Sequence, residues 1–263
     1  MSDRRQRQKE QRAAKREAEK KHDARRELFR RLGTALVFGF VVVAIFAFSG
    51  VFTGDSEQLP GSYEGFRAQE TACGADQPAP EQIMSFEAPE QQTDITASST
   101  VTATIATSCG DIIIELLPAE YPETVNSFVF LARSGFYDGQ VFHRVVENFM
   151  IQGGDPQANG TGGPGYVIAD EFPDDPDWSY TEGVVAMANR GARSTGSQFF
   201  IVVGDDARHL TPLFNVLGTV VSGEDALEKI AVLEKGIAPG SVEQSLPLQS
   251  VYIDAITIDV TGS

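Results

Sequence analysis

Metal-binding side chains are scarce in this sequence. Its 263 residues include two cysteines and three histidines, and neither a CxxC nor an HxxxH spacing occurs. Structural zinc sites take four such ligands, and a long apolar segment separates His22 from the other two histidines. The sequence therefore predicts no metal site.

Basic residues are scarce beyond position 31. Of the 21 lysines and arginines, 13 precede position 32, and the whole chain has a formal net charge of −16. Nucleic-acid binding needs clustered lysine and arginine to meet phosphates, so the acidic body is not predicted to bind nucleic acid. Residues 1–31 lack an apolar stripe, and we interpret them as a basic cytoplasmic arm attracted to anionic lipid head groups. Nucleic-acid binding by this arm is the less economical alternative.

Charge is absent from residues 32–52, which read LGTALVFGFVVVAIFAFSGVF. About 20 apolar residues in a helix span a bilayer core, so this segment predicts a single transmembrane helix. The long basic region before it favours an uncleaved signal-anchor over a cleaved signal peptide, and the lack of a polar face argues against a buried core helix. The positive-inside rule then places the N-terminus in the cytoplasm and the rest of the chain outside the cell membrane.

Residues 53–100 hold many prolines, glutamines and acidic residues and few periodic apolar ones, a composition typical of a tether. Within it, Tyr63 to Gly74 has enough apolar residues for a short helix or for packing on the domain that follows. Cys73 lies in this segment, and both it and Cys109 are predicted to be extracytoplasmic, where disulfides form. The two cysteines can pair or remain separate thiols.

Residues 101–263 have the pattern of one compact domain. Alternation in residues 101–107 and 111–117 predicts a hairpin, and six further short strands follow. Helices are predicted from Pro122 to about Ser134 and from Gly223 to Glu234, the second with Ser222 as N-cap. Two helices are too few to connect a parallel sheet of this size. We therefore predict a mainly β fold, a closed eight-stranded antiparallel β-barrel capped by two helices.

The segment FHRVVENFMIQGGD, Phe142 to Asp155, places one arginine, two large apolar residues and one glutamine on a short extended stretch. Such a grouping suits a proline-binding surface. The apolar residues can form a bowl for the pyrrolidine ring, while a guanidinium and a carboxamide at its rim can hydrogen-bond the adjacent imide.

This segment is followed by GTGGPGY, GVVAMAN and STGSQFFI. The four motifs in this order resemble the cyclophilins, a family of peptidyl-prolyl cis/trans isomerases, over about residues 102–260. The resemblance implies an eight-stranded antiparallel barrel with two helices, and an enzyme of protein folding whose partners are proline-containing unfolded or flexible polypeptides. Given the predicted topology, these would be exported or extracytoplasmic proteins. The sequence does not indicate an oligomeric state.

The resemblance assigns Arg144 as the catalytic residue. Rotation about an X-Pro bond crosses a barrier of roughly 18 to 20 kcal/mol, because it breaks amide resonance. No covalent bond is made or broken, so the reaction needs no nucleophile, metal or cofactor. A fixed cationic donor can stabilise the twisted imide, whose nitrogen regains a lone pair, and arginine is a permanently charged donor of fixed geometry.

The same resemblance assigns the substrate-binding residues. The proline pocket is expected from Phe149, Met150, Phe200 and Leu210, with Ala188 in the neighbouring wall, Gln152, Asn189 and Gln198 binding the peptide backbone, and His209 at a position often held by tryptophan. By strand alternation Phe142 and Phe199 should face the interior. His143 is interpreted as a structural, hydrogen-bonding histidine rather than a general base, because isomerisation moves no proton.

Two functional alternatives remain open from the sequence. The same surface would serve a proline-peptide binding module or a holdase chaperone with little turnover. The chain would otherwise be a scaffold whose important part is the basic arm and the transmembrane helix.

Overall fold

The computed structural model describes residues 61–175 and 177–262. The basic arm and the predicted transmembrane helix lie outside the described residues. Within the described ranges, no helix has the length and apolar character needed to cross a membrane. The boundaries assigned to arm, membrane helix, tether and domain stay predictions.

Ten strands and three α-helices follow one another along the described chain. In order they are α1 (Tyr63–Arg67), β1 (Thr100–Thr107), β2 (Gly110–Leu116), α2 (Pro122–Arg133), β3 (Arg144–Val146), β4 (Met150–Gly153), β5 (Val184–Met187), β6 (Phe199–Val202), β7 (Val216–Ser222), α3 (Glu224–Ala231), β8 (Lys235–Ile237), β9 (Gln244–Pro247) and β10 (Ile253–Thr261). Short 3₁₀ helices cover Ala72–Gly74 and Asp205–His209.

Eight of the strands form one antiparallel sheet in the order β10-β1-β2-β7-β5-β6-β4-β3. The strand count matches the prediction, but the predicted closure of the barrel is wrong: the curled sheet stays open between β10 and β3. β3 has only three residues, and the start of β10 pairs instead with the chain before β3. The Phe142 amide donates to the Val251 carbonyl at 2.9 Å, and Val141 and Tyr252 form an isolated bridge.

The hairpin of β8 and β9 was not predicted from the sequence. It forms a separate two-stranded sheet, and β9 lies beside β3. Its residues show little alternation of apolar and polar types, which is the pattern that identifies strands in a sequence. This hairpin matters for the site because it brings the chain after α3 next to Arg144.

The interior of the curled sheet is filled by alternate strand residues and by α2. In β1, for example, every second side chain from Val101 onward is buried, as the pleat of a strand requires. The resulting cluster, called the sheet core below, also contains Phe128 of α2 together with Phe142 and Phe199. The inward orientation predicted for the last two residues is confirmed.

The two predicted helices are present, with corrections at both ends of α3, which ends at Ala231 and not at Glu234. Its N-cap is Gly223, with φ 108°, and not Ser222. A side chain on Gly223 would collide with the backbone of Asp111 and Ile112 in β2. Close approach to the sheet therefore decides this helix start, and a left-handed glycine takes the place of a side-chain cap.

Residues 61–99, called the strap below, lie against the domain. Phe66 of α1 is completely buried in a small cluster with Val141, Leu246 and Tyr252. At the other end of the strap, the Arg133 guanidinium of α2 forms a bidentate ion pair with Asp94, at 2.8 and 2.7 Å. Local apolar content therefore produced a short helix that also packs on the domain.

A disulfide joins the strap to the sheet. Cys73 and Cys109 are bonded, with their Cα atoms 5.2 Å apart. Cys109 lies in the turn between β1 and β2 and is buried in the sheet core. The strap is therefore attached to the domain covalently as well as by packing.

Candidate active site

The short hairpin of β3 and β4 positions the arginine. Arg144 faces Gln152 in the antiparallel register, and its Nη1 donates to the Gln152 Oε1 at 3.2 Å. The same nitrogen is 3.6 Å from the Met150 Sδ. The guanidinium carbon lies 5.7 Å from the centre of the Phe149 ring, within the range of a cation–π contact. One charged group thus lies against three residues of the same predicted motif.

Glu243 is a further partner of Arg144. Its carboxylate accepts hydrogen bonds from the Arg144 Nε at 2.7 Å and from Nη2 at 2.8 Å. Both side chains are partly exposed, Arg144 by 28% and Glu243 by 40%. The hydrogen bonds from Arg144 lower the pKa of Glu243, and burial opposes this shift. The carboxyl group is therefore ionised at neutral pH.

The two faces of β4 and β6 serve different regions. Ile151 and Phe199 lie in the sheet core, whereas Met150 and Phe200 belong to a second apolar cluster on the opposite face. We call this second group the pocket cluster. Phe149, Ala188 and Leu210 are half-buried and pack against it. The residues expected to hold the proline ring therefore share one apolar surface.

Carboxamides form the rim beside this surface. The Gln152 Nε2 donates to the Gln198 Oε1 at 2.9 Å, and the Gln198 Nε2 donates to the Gly162 carbonyl at 3.0 Å. Further along the chain, the Asn189 Nδ2 donates to the Leu213 carbonyl at 2.7 Å. These bonds connect the arginine hairpin to the glycine-rich loop and fix each carboxamide in orientation.

Three aromatic residues of the pocket cluster were not predicted as site residues. Phe214 meets Phe200 edge-on, with ring centres 5.5 Å apart, and the Tyr180 hydroxyl donates to the Phe214 carbonyl at 2.8 Å. Trp178 packs edge-on against Tyr180 at 4.5 Å. Trp178 and Tyr180 lie outside the four motifs. Their spacing of two residues, which suits one face of an extended segment, was the available signal.

The two histidines of the domain lie in different surroundings. His209 is exposed at the end of its 3₁₀ helix and is not part of the pocket cluster. His143 is buried, and neither of its ring nitrogens has a hydrogen-bond partner within the described residues. Burial, chiefly, lowers the pKa of His143 to about 4, although the charge of Asp155 opposes the shift. His143 is thus neutral at physiological pH.

The geometry of the site indicates a class of protein. An apolar surface with a fixed guanidinium at one edge and three carboxamides beside it can hold a proline ring and bind the peptide bonds around it. It offers hydrogen-bond donors and no activated nucleophile among the residues named above. Such a surface suits a protein that binds prolyl peptides and acts on them without covalent chemistry.

Comparisons with known proteins identify the family. The family model of cyclophilin type peptidyl-prolyl cis-trans isomerase/CLD matches residues 102–258. Peptidyl-prolyl cis-trans isomerase B of Streptomyces anulatus is 41% identical over 173 residues, which are 60% of this chain and 95% of that protein. Peptidyl-prolyl cis-trans isomerase A of Mycobacterium tuberculosis is 42% identical over 176 residues, covering 61% and 93%. The chain belongs to the cyclophilin family and is a peptidyl-prolyl cis-trans isomerase.

Solved structures agree with this assignment. The crystal structure of a cyclophilin type isomerase of Cryptosporidium parvum matches with a TM-score of 0.54 and 27% identity, covering 61% of this chain and 98% of that one. A second structure of that protein, in the presence of the dipeptide Ala-Pro, also has a TM-score of 0.54, with 28% identity.

Proposed function

We propose that this isomerase accelerates X-Pro rotation by electrostatic stabilisation of the twisted imide by Arg144, with the proline ring seated on the pocket cluster. The observation that carries the proposal is the position of the Arg144 guanidinium, hydrogen-bonded to Gln152 and lying against Phe149 and Met150. The guanidinium is fixed at the edge of an apolar surface, which is where a donor that stabilises the twisted imide is needed.

Selective stabilisation follows from the electronic structure of the imide. In the planar cis and trans forms the nitrogen lone pair is delocalised into the carbonyl group. At the twisted geometry the lone pair returns to nitrogen, so a nearby N–H donor gains a partner that it lacks in either ground state. Interactions that are stronger in the transition state than in the ground state are those that raise the rate. The apolar surface meanwhile holds the ring while the preceding carbonyl rotates.

The carboxamides of the site bind the backbone of the substrate peptide. Gln152, Gln198 and Asn189 are each held by a protein hydrogen bond, and each carboxamide still has unused donor or acceptor capacity. Fixed partners for the peptide on both sides of proline keep the rest of the chain still. Rotation is then confined to the one bond that must turn.

Arg144 substitutions in the full-length protein test this mechanism. For Arg144→Ala we expect kcat/KM for an Ala-Pro peptide to fall by about 10²- to 10³-fold, the usual cost of removing one preorganised transition-state donor. Arg144→Lys keeps the charge but loses the planar fork, and its kcat/KM should fall between those of the wild type and Arg144→Ala. Unchanged catalysis in Arg144→Ala would refute the mechanism.

We also propose that the enzyme is anchored in a bacterial cell membrane and acts on exported or extracytoplasmic proteins. Three observations support this: the basic arm before an uncharged stretch of 21 residues, the disulfide between Cys73 and Cys109, which suits an oxidising compartment, and the bacterial relatives. Cell fractionation provides the test. The full chain should sediment with membranes and be cleaved by external protease in spheroplasts, whereas a chain lacking residues 1–60 should not sediment; a soluble full chain would contradict the anchor.

A further inference from the structure

Arg144 has few hydrogen-bond donors left for a substrate. A guanidinium carries five N–H groups in one plane. The Nε–H and one Nη2–H group are directed to Glu243, and one Nη1–H group is directed to Gln152. One Nη2–H group remains without a protein acceptor, and Nη1 has, besides Gln152, only the weak acceptor Met150 Sδ at 3.6 Å. Because the group is planar, bonds along two of its edges fix the direction in which the remaining donors point.

We propose that Glu243 is a positioning residue for isomerisation: its carboxylate holds the Arg144 guanidinium in the orientation that stabilises the twisted imide. The inference rests on the proposed role of Arg144. It assigns a function in catalysis to a residue of the connection between β8 and β9, which lies outside the four motifs.

The local structure holds Glu243 firmly. Its backbone N–H donates to the Ser241 Oγ at 3.0 Å, and a hydrogen bond from the Ser245 side chain contributes to lowering the pKa of its carboxyl group. Ser245 is buried and belongs to β9, which pairs with β8. Glu243 itself lies in the connection between β8 and β9, directly before β9, so these hydrogen bonds and the paired strand that follows position its carboxylate.

Residues of the strap contact β9 directly. Leu246 of β9 is buried in the same small cluster as Phe66 of α1, and the Gln69 Nε2 donates to the Pro247 carbonyl at 3.2 Å. A continuous series of contacts thus leads from the strap through β9 to Glu243 and Arg144. The segment between the predicted membrane helix and the domain therefore helps to build the active site.

Glu243 could act in two opposite ways on the rate. Its negative charge weakens the positive potential of Arg144, which would slow catalysis, while its two hydrogen bonds fix the guanidinium, which would speed it. The pair is partly exposed, so water screens the charge effect, whereas orientation is unaffected by screening. Misplacement of a catalytic group by about 1 Å can cost roughly 10²-fold in rate. We therefore expect orientation to dominate.

The test compares Glu243→Gln with a matched control in the full-length protein. Gln keeps the size and one acceptor but loses the charge and the bidentate contact. The control is Asp94→Asn, which makes the same chemical change in a second bidentate arginine–carboxylate pair among the described residues, between the strap and α2. Glu243→Gln should lower kcat for an Ala-Pro peptide about tenfold with KM within about twofold, and Asp94→Asn should leave both unchanged. Circular dichroism verifies that each variant is folded.

Two measurements separate positioning from a direct or purely structural role. In the Arg144→Ala background, Glu243→Gln should cause no further loss, because a residue that acts through Arg144 has nothing left to position. By NMR, the Arg144 Nε–H resonance should be protected from solvent exchange in the wild type and in Asp94→Asn, and lose this protection in Glu243→Gln.

The possible outcomes are distinct. If Arg144→Ala itself retains wild-type activity, the proposed function fails, whatever Glu243 does. If Arg144→Ala is impaired but Glu243→Gln has an unchanged or higher kcat, positioning is overturned and a higher value identifies the carboxylate as a brake. An equal loss in Asp94→Asn, or additive losses in the double variant, also overturns it. Glu243→Asp, which keeps the charge on a shorter side chain, should recover part of the lost kcat.

Discussion

The two faces of β4 and β6 are built from the same kinds of residue and do different work. On the inner face, Ile151 and Phe199 are completely buried in the sheet core. On the outer face, Met150 and Phe200 are almost as buried, but half-buried Phe149 and the partly exposed Arg144 lie beside them. Residue type therefore does not distinguish fold from site. What distinguishes them is whether the apolar surface is sealed or rimmed by fixed polar groups.

The largest effect is expected when a side chain of the inner face is truncated, which tests whether the two faces have separate roles. Phe199→Ala should lower the free energy of unfolding by about 3 to 5 kcal/mol, because it empties a well-packed position of the sheet core. The affinity of the folded fraction for an Ala-Pro peptide should stay unchanged. Urea denaturation and peptide titration measure the two quantities, and weakened binding without destabilisation would contradict the division into two faces.

Removal of the disulfide tests whether the strap belongs with the fold. The double substitution Cys73→Ser and Cys109→Ser should lower the free energy of unfolding by about 2 to 4 kcal/mol, since the bond closes a loop across a separation of 36 residues and restricts the unfolded chain. Denaturation of oxidised and reduced wild type is the parallel experiment. Equal stability of the two forms would show that packing alone holds the strap.

A substitution on the outer face should lower activity and leave stability almost unchanged, which is the reverse of the effect expected for Phe199→Ala. Leu210→Ala removes a half-buried side chain from the pocket cluster, and we expect kcat/KM for an Ala-Pro peptide to fall about tenfold, equivalent to about 1.4 kcal/mol. The melting temperature should change little, because the residue is already partly solvated. A large thermal destabilisation with normal kinetics would assign Leu210 to the fold.

A pH-dependent effect on stability is predicted for Glu81, a half-buried acid of the strap. Burial, with the charges of Asp155 and Glu64, raises the pKa of Glu81 to about 8 from 4.5. The folded state then holds a proton that the unfolded state releases, so the Glu81 contribution to stability is present below pH 4.5 and is lost as pH rises toward 8. Glu81→Gln removes this loss. Its melting temperature relative to the wild type should therefore increase from pH 5 to pH 8; a constant difference would contradict the shift.

Much of the fold was predictable because its signals are local. Alternation identified the first hairpin, six further strands were predicted as short segments after it, and the prolines and glycines around α2 identified its ends. Closure was not predictable, since it depends on how far β3 extends beside β10, and neither was the start of α3, where contact with Asp111 requires Gly223. Those features depend on distances between segments that are remote in sequence.

The site likewise contains residues that the sequence predicts and one that it does not. The four motifs contain Arg144, Gln152, Gln198 and Phe200, and the structure gathers these residues on one surface. Glu243 was not predicted, because it is 99 residues from Arg144 and lies in a stretch without a recognisable pattern. A carboxylate that faces a known arginine can be found only when the fold has brought the two segments together.

Whether Arg144 accelerates rotation or merely binds peptide is decided by NMR exchange at saturating Ala-Pro peptide. The wild type should interconvert bound cis and trans peptide rapidly. Arg144→Ala should slow this interconversion about 10²-fold or more, while the Kd of the peptide changes by less than about threefold. Wild-type exchange in Arg144→Ala, or a loss that lies entirely in Kd, would contradict a catalytic role for this arginine.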